Sequence, residues 1–166
     1  NVLFDLGPRR PRHELAMSVF RAERMRACSL AISSEIETEL SRTAHDGKTD
    51  PMLSFAGTLA KFSTPPDSEW ERLSPMLAEI VFPQRHASGS LSENDRSDLQ
   101  HLATVIHHGL PGLITSDRRI LERASELRRR FGVDAISPEL FQVEPDHTAS
   151  PVVHKAHSAD IIEMQP

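Results

Sequence analysis

Acidic side chains near the ends of expected strands are the residues of this chain best suited to chemistry. Asp117 follows the apolar run Leu113-Ile114-Thr115 almost at once and opens a helical pattern. Glu39 falls in the helix expected after a short buried strand that ends near Ser33. Asp98 opens the helix that feeds the strand at 112–115, and Asp95 precedes it by three positions. In open α/β sheets, ligands collect beyond the carboxyl ends of the strands. A parallel sheet would therefore bring these separated acids to one edge. Carboxylates gathered without cysteine favour a hard cation with oxygen ligands, Mg2+ or Mn2+. Such an ion lowers the pKa of a bound water and stabilises charge on a phosphoryl group in transfer. Each acid also has a purely structural reading. Asp117 has the type and place of a helix N-cap, Asp98 those of a cap or first-turn acid, and Glu39 those of a solvent-facing acid beside Glu35 and Glu37. Only their convergence would separate the two readings.

The basic residues sharpen the question. Sixteen of the nineteen are arginine, clustered at Arg9-Arg10-Arg12, Arg21-Arg24-Arg26 and from Arg118 to Arg130. Arginine suits planar, bidentate contacts with phosphate, so Arg118 and Arg119 are candidates to hold a polyanionic substrate. Solvated helix faces are the plainer alternative. Thr115 and Ser116 either touch bound water or phosphate, or cap the helix. His101, one turn after Asp98, reads as a partly buried helix histidine within reach of the acids. His107 and His108 read as structural, in a last turn where the helix dipole favours a cation. Cys28 has no paired histidine motif, which disfavours a nucleophilic role. Trp70, in helical phase with Leu73 and Leu77, reads as core.

These groups need elements to position them. Residues 2–6 look like a strand end or the turn after one. Leu15, Ala16, Val19 and Phe20 mark an amphipathic helix, and 28–33 is a buried-strand candidate. Ser34 and Glu37 fit a capping box that starts a helix running to about Ala44. After a loop at 45–51 come two helices, "PMLSFAGTLAKF" and "DSEWERLSPMLAEIVF", the second containing Pro75. The apolar positions of 52–82 would suit a helical arm that pairs with a second copy or a partner. A polar loop (83–95) precedes a helix from 98 to Gly109. The strand at 112–115 leads to a helix with Ile120, Ala124, Leu127 and Phe131 on one face, closed by Gly132, and 133–137 is a last strand. Alternating strands and helices point to a mostly parallel sheet covered on both faces. Residues 143–166 read as a polar tail or linker.

A chain of 166 residues suits one domain, and 38% hydrophobic with 26% charged residues is an ordinary soluble balance. One cysteine permits no internal disulfide and fits a reducing, cytoplasmic setting. No apolar run approaches the roughly 20 residues of a membrane span. The net charge of −5 argues against a non-specific nucleic-acid coat. No glycine-rich phosphate loop is present, which disfavours an unrelated phosphate-binding α/β domain.

Three motifs together resemble the PIN-domain ribonucleases, a family that includes VapC-type toxins. They are "ISSEIETEL" (32–40), "DLQHLATVIHHG" (98–109) and "LITSDRRIL" (113–121), with "FGVDAISPELF" (131–141) similar to the family's closing strand. The resemblance spans residues 1–142. It implies a three-layer α/β/α fold with a short, mostly parallel central sheet. It also implies Mg2+- or Mn2+-dependent hydrolysis of RNA phosphodiester bonds, with Glu39, Asp98 and Asp117 as catalytic and metal-holding acids. Asp95, Thr115 and Ser116 would be accessory, and an antitoxin protein or a homodimer would be a partner. Family members open with a strand ending in Asp-Thr-Asn, and Asn1-Val2-Leu3 resembles the end of that motif. The family's first aspartate would then precede Asn1 and the first strand would be incomplete here. Asp5 is the rival for its place. A non-catalytic PIN-like module that binds RNA or protein is the alternative.

Overall fold

The computed structural model describes residues 2–7, 9–42 and 51–141. Asn1, the end of the helix expected near Ala44, most of the loop at 45–51 and the tail from 143 lie outside these residues. The described chain mixes helices with short parallel strands. After a 3-10 turn at Phe4–Leu6 come α1 (His13–Arg24), β1 (Ala31–Ser33), α2 (Glu35–Arg42), α3 (Pro51–Ala56) and β2 (Ala60–Phe62). Then follow α4 (Asp67–Val81), α5 (Pro83–Ala87), α6 (Glu93–His107), β3 (Gly112–Ile114), α7 (Arg118–Glu122), α8 (Ala124–Phe131) and β4 (Asp134–Ile136).

The strands form two parallel pairs, β1 with β2 and β3 with β4, in place of one continuous sheet. Backbone parity shows where the two pairs stop. The Ser34 N–H donates to Phe62 across β1–β2, and the Thr115 N–H donates to Ile136 across β3–β4. Alternate residues of a strand point their peptide groups to opposite sides, so those of Ala31 and Ser33 turn away from β2. By the same alternation, those of Gly112 and Ile114 turn away from β4. Both unpaired edges border an apolar groove of about 780 Å3. Gly112 is required on its other side, because a Cβ there would stand 2.6 Å from the Asp134 carbonyl oxygen.

Three apolar clusters hold these elements. The largest joins Leu73 and Leu77 of α4, Leu99 and Leu102 of α6, Ile120 of α7 and Leu127 of α8, with Trp70 packed against it. A smaller one gathers Leu3, Ile36, Leu40 and Ala56, with Phe20 and Phe55 beside them, ring centroids 5.4 Å apart. A third holds Val2, Ala16 and Val19. Most apolar residues of 52–82 pack into the first two of these clusters. No helix among the described residues is long and apolar enough to cross a membrane.

Several local expectations change. Of the two readings of residues 2–6, the turn is the one found. The helix expected over 51–62 stops at Ala56, before Gly57, a poor helix former, and 60–62 pair as β2. Ser34 does not close a capping box with Glu37: its hydroxyl accepts the Thr64 N–H, and Glu37 pairs with Lys61. The capping box lies at Ser92 and Asp95, so α6 starts five residues before Asp98, and part of the expected loop at 83–95 is α5. The helix after β3 divides at Arg123, and its second half ends on Gly132 at φ 72°. Pro75 sits on the exposed face of an otherwise continuous α4.

Candidate active site

Two helices and one strand end deliver the acids. Glu39 comes from α2, Asp98 from the second turn of α6, and Asp117 from the residue that caps α7 just beyond β3. All three line one cavity of about 550 Å3, together with Asp95 and the arginines Arg42, Arg85 and Arg119. Contact between α2 and α6 brings the first two together. The capping geometry fixes the third. One Asp117 oxygen accepts the N–H groups of Arg119 (2.7 Å) and Ile120 (3.1 Å), while the Asp117 N–H donates to the buried Thr115 hydroxyl. A cap uses one carboxylate oxygen in this way, so a capping role does not exclude a second one.

The cavity's charges are unevenly compensated. Arg85 reaches both oxygens of Asp95 at 2.6 Å, and Arg119 stands 3.6 Å from the same carboxylate and over the Phe82 ring. Arg42 is bound to the buried Glu35 and to Ser97. No hydrogen-bond donor among the described residues meets Asp98. Burial first, and then the Asp117 carboxylate, push its carboxyl up to about 6; Glu39 adds to this and His101 opposes it. Burial pushes the Asp95 carboxyl the same way, but the Ser92 N–H and the Arg85 guanidinium outweigh it and leave the group below its ordinary value.

No protein-family model, curated protein or solved structure matches this chain. What the site can do therefore rests on its own geometry. Among the described residues no group of three His, Cys, Asp or Glu side chains is set to hold a metal ion. A hydrated Mg2+ or Mn2+ asks for less, since it binds through one or two carboxylates and keeps several waters. Asp98 and Asp117 fit that demand: both offer hard oxygen donors, and a cation would favour the ionised form of Asp98 that burial and the Asp117 charge disfavour.

The remaining candidates divide. Asp95 lines the cavity but is nearly wholly buried and serves as a capping and ion-pairing group. Thr115 supports Asp117 from below. Ser116 donates to Asp5 at 3.1 Å, which brings Asp5 next to the acids although it does not line their cavity. Arg119 faces the cavity, whereas Arg118 is exposed and pairs with Glu122 one turn along. Cys28 lies away from the acids, its thiol pushed up by burial and by Glu23, which suits no nucleophile. His108 is structural, its ring bound to the Ser63 carbonyl. Sequence reasoning did not find Arg42 or Arg85 at the site. The Ser-x-x-Asp pattern at 92–95 was the available signal for Arg85, because it marks the acid that this arginine holds.

Proposed function

We propose that the chain is a metal-dependent endoribonuclease on a PIN-like three-layer α/β/α frame. The observation that carries the reading is the convergence of Glu39, Asp98 and Asp117, from three separate elements, on one cavity. The sequence motifs that carry the resemblance are the same segments that supply these acids. RNA as the substrate class comes from that resemblance, as does an antitoxin protein as a possible partner of a toxin-type member. Asp98 and Asp117 would hold Mg2+ or Mn2+, and Glu39 would hold it or orient a water. The ion, when bound, would lower the pKa of a water and stabilise charge on the phosphate. Arg119 stands at the cavity where the phosphodiester backbone would lie, and the buried Asp95 keeps Arg85 in place beside it.

The test is cleavage of RNA by the full-length protein. Cleavage should require Mg2+ or Mn2+, stop with a chelator, and fall more than about 100-fold in Asp98→Asn and in Asp117→Asn. Undiminished cleavage by both folded variants would sink the assignment. A non-catalytic RNA-binding module is the second reading, favoured by Arg119, which lines the same cavity and suits a phosphate without any reaction. It predicts salt-sensitive RNA binding with no cleavage under any divalent ion.

A further inference from the structure

His101 lies one turn beyond Asp98 on α6, and its side chain is only 12% exposed. Its two ring nitrogens reach different elements. Nδ1 is 2.6 Å from the Ser33 hydroxyl at the end of β1, and Nε2 is 3.2 Å from Oε2 of Glu39 on α2. The chemistry of the partners fixes the protons. A carboxylate only accepts, so Nε2 carries the hydrogen and donates to Glu39. In the neutral ring Nδ1 is then bare, and the Ser33 hydroxyl donates to it. The ring is held at both ends and joins β1, α2 and α6 behind Glu39, which lines the acidic cavity.

We propose that His101 is a positioning residue that holds the Glu39 carboxylate toward Asp98 and Asp117. The inference rests on the nuclease reading. Ser33 fixes the ring, the ring fixes one oxygen of Glu39, and Glu39 is thereby kept from swinging out to solvent along its three rotatable bonds. Carboxylates that hold a metal are commonly oriented by such hydrogen bonds, and losing the orienting group typically costs about 10- to 100-fold in metal affinity. His101 touches neither ion nor substrate in this account and acts through Glu39.

Mn2+ alone is the probe, titrated into metal-free full-length protein with free ion counted by electron paramagnetic resonance. His101→Leu keeps the volume and removes both hydrogen bonds; it should weaken Mn2+ binding by about 10- to 100-fold. His101→Gln should recover most of the loss, because its amide can donate to Glu39 and accept from Ser33. Ser33→Ala, a single-atom deletion, should weaken binding less than His101→Leu and decides the matter if the leucine variant does not fold. Thermal melts of each variant separate folding from affinity. Wild-type affinity in folded His101→Leu, or His101→Gln no better than His101→Leu, overturns the positioning role and leaves the nuclease reading standing. No Mn2+ binding by the wild type overturns both.

Discussion

Asp95 and Asp98 lie one turn apart on α6 and line the same cavity, yet their carboxyls are shifted in opposite directions. Asp95 is the more buried, at 1% exposure, and its carboxyl is held below the ordinary range. Asp98 keeps some contact with water, and its carboxyl is pushed up to about 6. Burial raises both carboxyls and is the first cause of the rise at Asp98. Compensation then separates them: Asp95 has the Ser92 N–H and the Arg85 guanidinium, while Asp98 has the like-charged Asp117 and Glu39 beside it, opposed by His101. One carboxylate is spent on the fold, and the other is kept at a cost to it.

The contrast can be broken from either side. Asp95→Ala should have the largest effect, a loss of about 2–3 kcal/mol in urea unfolding at neutral pH, since it removes the acceptor of the Ser92 N–H from the capping box and strands Arg85. A loss below about 0.5 kcal/mol, the level of an ordinary surface change, would show that Asp95 is not structural. Asp98→Asn should act with the opposite sign. A folded-state pKa near 6 lies above the unfolded value, so the native state binds the proton more tightly and loses stability as pH rises toward and through 6. The metal-free asparagine variant should therefore be more stable than wild type above pH 6, by about 2 kcal/mol after allowance for residual solvation. The advantage should fade below about pH 4. A stability difference that does not change with pH would remove the electrostatic account. Arg119→Ala should change stability least, by less than about 1 kcal/mol at a half-exposed pair. It should still lower the slope of RNA affinity against salt by about one unit, whereas Arg118→Ala should not. Equal slopes for the two variants would remove Arg119 from the substrate path.

Asp117 was the most legible of the acids, because strand, cap and helix follow one another within a few residues and depend on local chemistry alone. Asp98 was legible as a residue but misplaced within its helix. The box that starts α6 uses Asp95 where Glu or Gln is usual, and the apparent box at Ser34 drew attention to the wrong serine. β2 was not legible. Ala60-Lys61-Phe62 has no β-branched residue, and it is a strand because β1 lies beside it. The ties of His101 to Ser33 and Glu39 cross more than sixty residues of chain, a separation at which no local spacing reports contact. A single parallel sheet was expected, yet the strands pair in twos, because alternation of strands and helices says nothing about which edges meet.

The two unpaired edges facing the apolar groove have a consequence for how the molecule comes apart. No ladder bond crosses from β1 to β3, so each half keeps its own backbone hydrogen bonds if the groove widens. The inward-facing amides of Ala31, Ser33, Gly112 and Ile114 can then trade hydrogen with water without either sheet unfolding. Opening along this line is a lower step than global unfolding, and it would loosen the hold of β1 and α2 on the α6 side of the acids before it disturbed the large core of α4, α6 and α8.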